Sequence, residues 1–346
     1  MPSTPFLAID LAVLDANIER TAAWAARLGV GLRPHVKTHK CPEIALRQRD
    51  AGAEGITVAT VGEAEVFAQA GFDDVFIAYP LWVDEDKHAR LRRLPPWTRI
   101  RVGIDSVAGA ERMVGTGATA LVEVDSGHHR TGVDPDRAGM LARAAVAAGL
   151  PVEGVFTFPG HSYAPGGREA AARCETDALT RAAGSLREAG IEPSVISGGS
   201  TPSLAMTGPG ATEVRPGVYV VNDAQQWELG SCGATDIALT CHATVISHAG
   251  GRLVLDAGSK ILGADRPAWA SGSGRLLDHP DARVVSLSEH HAVVDLGAKT
   301  LPPLGSVVRV VPNHACNAIN LVEELFVIAD GGVVDTWPVS ARGLNV

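Results

Sequence analysis

The sequence predicts an α/β chain: an N-terminal (β/α)8 TIM-like barrel over residues 11–230, followed by an all-β domain over residues 231–346 that also takes in residues 1–10. Three observations predict it. Eight apolar strand-like runs alternate with Ala-rich amphipathic stretches in the first part of the chain. The texture changes near residues 229–233 to short β-rich runs, and Gly- and Pro-rich connections rather than helices join those runs.

The elements follow in order. After the strand-like Phe6-Leu7-Ala8-Ile9, Asp10 is placed to cap a helix that carries Leu14, Ile18, Ala22 and Ala25 at helical spacing. Strands are read at residues 32–37, 55–59, 75–79, 99–104, 120–124, 152–158, 194–197 and 213–221, with helical stretches such as 62–70, 136–148 and 169–189 between several of them. Asp84-Glu85-Asp86 reads as a helix N-terminus, where carboxylates complement the macrodipole. Eight parallel strands with intervening helices favour a barrel, although an open doubly wound sheet has a similar composition. Beyond residue 232 the strand-like runs are 237–246, 252–255, 284–287, 292–296, 307–311 and 325–328, and turn-rich segments 270–275 and 301–305 connect some of them.

Length and composition fit a globular protein with room for large cores: 346 residues, 46% hydrophobic and 20% charged. The net charge of -9 disfavours nucleic acid and anionic membranes, both of which attract clustered Lys and Arg, and leaves a small molecule as the expected partner. Charge or Gly interrupts every apolar run well before the roughly 20 residues of a membrane span, and no export signal is read at the start. Cys41, Cys174, Cys232, Cys241 and Cys316 are odd in number and scattered, so no disulfide framework is expected and a reducing cytoplasm fits best.

Four stretches carry chemistry. Arg33-Pro34-His35-Val36-Lys37-Thr38-His39-Lys40 places an amine at the end of the first barrel strand, where barrel enzymes put catalytic groups. Burial and the cations His39, Lys40 or Arg33 would depress its pKa and favour a Schiff base; otherwise Lys37 is a solvated strand end. Ser197-Gly198-Gly199-Ser200-Thr201-Pro202-Ser203 follows the seventh strand, and its glycines, hydroxyls and helix N-terminal amides suit a phosphate as well as they suit an ordinary capped turn. Arg130, in the loop Asp125-Ser126-Gly127-His128-His129-Arg130-Thr131-Gly132, can bond an anionic oxygen or pair with Asp125 or Asp134. In Arg215-Pro216-Gly217-Val218-Tyr219, Gly217 permits close backbone approach, and Tyr219 offers either a phosphate contact or core packing.

In this order the four stretches resemble the alanine racemase-like, fold type III pyridoxal-phosphate enzymes over most of residues 4–230. The resemblance implies pyridoxal 5'-phosphate on Lys37, Arg130 near its ring oxygen, and Ser197, Gly198, Gly199, Ser200, Thr201, Gly217 and Tyr219 around its phosphate.

The last third of the chain narrows the family. His314 and Cys316 stand two apart in Pro312-Asn313-His314-Ala315-Cys316-Asn317; in an extended segment both would face one side and could share an ion, or the Cys is simply buried beside a capping His. A thiolate favours zinc, with manganese or another divalent ion as the alternative. With Leu255-Asp256-Ala257-Gly258-Ser259-Lys260 and Leu287-Ser288-Glu289-His290-His291, this stretch looks like the metal-bearing β domain of D-serine dehydratases and D-threonine aldolases. Gly160-His161-Ser162-Tyr163 resembles the dehydratase side and adds Tyr163 to the expected cofactor contacts.

In that family, the resemblance implies, a His and Cys pair accompanies dehydration and a His and Asp pair accompanies aldol cleavage. Expected, then, is a lyase of D-β-hydroxy amino acids in a head-to-tail homodimer. A D-threonine aldolase is the alternative, and a racemase or a non-catalytic cofactor carrier stands further off.

Overall fold

The computed structural model describes residues 2–346. The chain forms two compact units, one made of residues 22–37, 48–217 and 344–346, the other of the segments up to residue 21, 38–47 and 218–343.

Strand β1 (Phe6–Asp10) comes first in the chain. The next eight strands build the first unit: β2 (Gly31–Leu32), β3 (Ile56–Val58), β4 (Asp74–Pro80), β5 (Arg99–Ile104), β6 (Thr119–Glu123), β7 (Val152–Phe156), β8 (Val195–Gly198) and β9 (Glu213–Val214). They form one parallel sheet in the order β2-β9-β8-β7-β6-β5-β4-β3. Its two edges meet at a parallel bridge between His35 and Thr57, where the Thr57 amide donates to the Pro34 carbonyl at 2.8 Å. The barrel expected from the strand–helix rhythm is therefore present. Phe76, Leu121, Phe156 and Val195 form one of its apolar clusters, as a parallel sheet covered on both faces requires.

All eight expected strands exist, but two end early. β2 stops at Leu32 and β9 at Val214, and 3-10 turns take over at Val36–Thr38 and Val218–Val220. Pro34 and Pro216 explain both, because each lacks the amide that would extend the ladder. The expected helices appear as Val61–Gln69, Ala138–Ala147 and Arg168–Glu188, and Asp84 caps the helix Glu85–Arg93 through the Lys87 amide.

The second unit holds β1 and the remaining strands: β10 (Leu239–Ser247), β11 (Leu253–Leu255), β12 (Gly274–Leu276), β13 (Arg283–Leu287), β14 (Ala292–Asp295), β15 (Val307–Pro312), β16 (Glu324–Ala329) and β17 (Gly332–Pro338). The order is β11-β14-β13-β12-β15-β10-β1-β16-β17. The long β10 pairs with β15 and, through a pairing interrupted by a bulge between Val245 and Ser247, with β11, which closes six of the strands into a barrel. β1 lies between β10 and β16, so the N-terminal strand belongs to this sheet as expected. β12 and β17 were not foreseen: the first begins in a Gly-rich segment read as a connection, and neither shows a clean apolar alternation.

Candidate active site

In the barrel unit the loops after β2, β6 and β7 converge on Phe158. The Lys37 Nζ lies 5.8 Å from its ring centroid and the Arg130 guanidinium 5.2 Å. The rings of His128 and Tyr163 follow at 5.7 and 6.2 Å. Three residues expected at the cofactor, Lys37, Arg130 and Tyr163, are thus brought around one aromatic side chain that sequence reasoning had absorbed into a strand. The loop after β8 joins them through a chain of buried hydroxyls, with Ser200 Oγ 2.8 Å from both Ser162 Oγ and Ser203 Oγ.

Other expected residues are differently placed. The Ser197 hydroxyl donates to Glu213 at 2.6 Å and accepts from Arg215, so it is committed inside the barrel. The Gly199 amide, at φ +84°, donates to Glu175 at 2.6 Å. The stretch before Gly217 runs beside the lysine segment, since Pro216 accepts the His35 amide at 3.0 Å. Tyr219 is buried in the second unit. Thr201 lies in the turn that follows Ser200, where its carbonyl accepts from the Leu204 amide.

The electrostatics of this end come from burial. His35 is held neutral, its pKa pushed well down by desolvation and then by the charges of Lys37, Arg215 and Arg130. Arg33, expected beside Lys37, is instead spent on Glu213 and Asp74, each at 2.7 Å, and His39 and Lys40 fall in the other unit. Desolvation raises the Glu123 carboxyl to about 7 against the pull of Thr131, Arg130 and Arg215. Arg215 is fully enclosed, donating to Thr157 O at 2.6 Å and lying over Phe76 and Phe156. His35 Nδ1, Glu123 Oε2 and both ring nitrogens of His161 are buried polar atoms without hydrogen-bond partners. Such atoms are costly unless something meets them. Together with an amine, a guanidinium and a run of hydroxyls, they form a donor set that fits an aldehyde, a phenolate oxygen and a phosphate.

In the β unit His314 is not in an extended segment with Cys316, which corrects the expected geometry. His314 is the extended residue before the helix Ala315–Asn320, and Cys316 lies in the first turn of that helix. The Asp223 carboxylate starts the helix by accepting the Ala315 amide at 3.0 Å. The two side chains still meet. Burial lowers the His314 pKa, but Cys316 and Asp265 outweigh it and hold the imidazole at about 11. Asp265 Oδ2 bonds His314 Nδ1, while its Oδ1 accepts from Asn317 Nδ2 at 2.6 Å. The Cys316 thiol also donates to Thr38 Oγ1 at 3.4 Å.

Among the described residues no group of three or more His, Cys, Asp or Glu forms a metal cluster. A carboxylate on Nδ1 turns Nε2 outward, the usual support of a metal-binding imidazole, so His314 and Cys316 fit a two-ligand ion site with open positions. Asp265, 49 residues upstream, leaves no trace in the spacing of the motif. The two motifs 255–260 and 287–291 pack on each other, with Ser259 N donating to Ser288 O at 2.8 Å and Lys260 paired with Glu289 at 2.8 Å.

Comparison with known proteins is consistent across both units. Residues 9–225 match the family profile of the alanine racemase N-terminal domain, and residues 238–328 match a putative serine dehydratase domain. A D-threonine aldolase from Arthrobacter sp is 38% identical, over 99% of this chain and 93% of its own. A D-threo-3-hydroxyaspartate dehydratase from Delftia sp. (strain HT23) is 35% identical, over 96% of each. The solved structure of the Delftia dehydratase matches with a TM-score of 0.88 at 34% identity, covering 98% of this chain and 97% of its own. A D-threonine aldolase from Filomicrobium marinum matches at 0.86 and 31%, covering 99% and 97%. Solved variants of D-threo-3-hydroxyaspartate dehydratase replace a histidine and the cysteine two positions after it, the latter in a metal-free form.

Proposed function

Because the chain belongs to the alanine racemase-like family of D-threonine aldolases and D-threo-3-hydroxyaspartate dehydratases, we propose that it is a pyridoxal-phosphate- and divalent-metal-dependent lyase of D-β-hydroxy amino acids. Its proposed reaction is the dehydration and deamination of D-serine or D-threo-3-hydroxyaspartate to a keto acid and ammonia. The observation that carries the choice is Cys316 beside His314, a pair spaced like the histidine and cysteine varied in the dehydratase.

When bound, pyridoxal phosphate supplies an electron sink for the α carbon, and a divalent ion supplies a Lewis acid for the β oxygen. The roles proposed for the chain's own residues are these. Lys37 would hold the cofactor aldehyde through Nζ, and the same amine would take the α proton of the substrate. Arg130 would fix the ring oxygen. Ser200, Thr201, Tyr163, Gly198 and Gly217 would surround the phosphate, whereas Ser197 and Gly199 support that loop from behind through Glu213, Arg215 and Glu175. Phe158 keeps water from the space between Lys37 and Arg130. His314 and Cys316 would hold the ion, and the Cys316 thiolate would favour zinc.

Aldol cleavage is the second reading, favoured by the 38% identity to the Arthrobacter aldolase. It requires loss of the β-hydroxyl proton instead and yields glycine plus an aldehyde. The reading extends to a cytoplasmic homodimer. Five free cysteines support the reducing compartment, and among the described residues no helix is long and apolar enough to cross a membrane.

Incubation of cofactor- and metal-loaded protein with D-serine, D-threo-3-hydroxyaspartate and D-threonine tests both readings. Keto acid from either of the first two supports dehydration, and glycine from the third supports cleavage. Formation of neither product refutes the proposal.

A further inference from the structure

The helix Arg168–Glu188 touches the loop after β8 at two points. Arg168 Nε donates to the Pro202 carbonyl at 2.7 Å, and Glu175 Oε1 accepts from the Gly199 amide at 2.6 Å. Residues 168 and 175 are seven apart, so both side chains leave the same face of the helix, about 10 Å apart along its axis.

Glu175 is 4% exposed; its carboxylate accepts the Gly199 amide and feels the charge of Arg215. Burying a carboxylate this way costs several kcal/mol in general, and burial raises its pKa to about 7. A residue kept at that cost on a helix whose other buried positions are mostly Ala and Leu needs a return elsewhere in the fold.

That return is visible in the loop. Gly199 sits at φ +84°, a backbone shape that favours glycine, and its amide points toward the helix, at Glu175. A Cβ at Gly198 would lie 2.5 Å from Glu175 Oε1, and one at Gly199 2.8 Å from Val214 Cβ, so the carboxylate also fixes how closely the backbone packs. Lower in the same loop, a Cβ at Gly208 would lie 2.2 Å from Thr176 Oγ1. The far side of the loop is held by the Ser162, Ser200 and Ser203 hydroxyls.

We propose that Glu175 and Arg168 act as positioning residues, a two-point clasp that holds the loop 198–203 in the shape that receives the cofactor phosphate. Neither touches the phosphate. Glu175 takes up the Gly199 amide and Arg168 pins the Pro202 carbonyl at the other end, which fixes the backbone that carries the hydroxyls and amides of 200–201. The proposal rests on reading this loop as the phosphate site.

The test separates phosphate binding from aldehyde capture. Apoprotein is titrated with pyridoxal phosphate and, separately, with pyridoxal, and both are trapped on Lys37 with borohydride. The clasp predicts that Glu175→Leu raises the Kd for pyridoxal phosphate about 10- to 100-fold, the usual consequence of orphaning a buried amide. Capture of pyridoxal should stay within about twofold. Glu175→Gln, which keeps an acceptor oxygen, should recover most of the affinity, and Arg168→Met should repeat the phosphate-selective loss and decides the matter if Glu175→Leu does not fold. Equal losses for both aldehydes, or no loss for the phosphate, would overturn the clasp alone. A wild-type protein that binds both aldehydes equally tightly would overturn the phosphate site itself, and one that traps neither would overturn the cofactor assignment.

Discussion

Replacing Asp265 by asparagine perturbs the proposed ion site without touching either ligand. In the wild type both carboxylate oxygens accept, one from His314 Nδ1 and the other from Asn317 Nδ2 at 2.6 Å. An asparagine offers only one acceptor. If its oxygen stays with the Asn317 amide, its own NH2 faces His314 Nδ1, and the imidazole must shift its proton to Nε2, the nitrogen needed for the ion. Losing such an outer partner weakens metal binding by about 10- to 100-fold, or roughly 1.4–2.8 kcal/mol. Asp265 is 44% exposed as a side chain, and water can partly replace it, so Asp265→Ala belongs near the lower end, about tenfold. The tautomer conflict places Asp265→Asn above it. The assay is competition for zinc between apoprotein and a chromophoric chelator, with pyridoxal phosphate absorbance as the control. An Asp265→Asn protein that binds zinc like the wild type, or better than Asp265→Ala, would refute the role given to this carboxylate.

Three further outcomes follow from the barrel end. Lys37→Ala should abolish borohydride-stable attachment of the cofactor while leaving circular dichroism unchanged, and a label found on another lysine would move the centre of the site. Phe158→Ala removes the ring that both Lys37 and Arg130 face; the two contacts are made without the cofactor and are worth about 0.5–1 kcal/mol each, so urea melts of the apoprotein should show a loss of at least about 1 kcal/mol, and an unchanged midpoint would refute the packing role. Glu123 and Glu175 both have folded pKa values raised from 4.5 to about 7. Below pH 4.5 folded and unfolded chains both hold these protons, whereas above it only the folded chain does, so stability present at low pH is lost as pH rises through about 7. Each contributes on the order of 3 kcal/mol to that loss, and Glu123→Gln should remove about half of it in urea melts compared at pH 4.5 and 7.5.

The parts of the structure legible in the sequence are those set by local pattern. The parallel strands announced themselves as apolar runs with turn residues between them, and the lysine and phosphate-type loops stood at their ends. Misreadings began where a partner lay far along the chain. His314 and Cys316 were expected on one strand because a two-residue spacing means a shared face only if the backbone stays extended. A carboxylate from Asp223, 92 residues upstream, instead starts a helix at Ala315, and that long-range cap has no local signature. Phe158 was hidden for the opposite reason: at the end of an apolar run an aromatic residue looks like core, and only the fold reveals the two cations that face it.

Glu175 lies between these cases, because the sequence does carry a local signal for it. Ala171, Glu175, Ala178, Ala182 and Leu186 fall at spacings of three and four, one buried stripe with a carboxylate in the middle. A charged residue on the apolar face of a helix must find a buried donor. In an α/β barrel, unpaired amides are supplied by helix N-termini and by the turns at strand ends, where the ladder has run out. Here that turn is at Gly199, immediately after β8. The rule that follows is general for such folds: a carboxylate inside a helix's buried stripe, just before a strand that ends in Gly-Gly, points to a loop whose shape is held from behind, and its amide partner can be sought in the two residues after the strand.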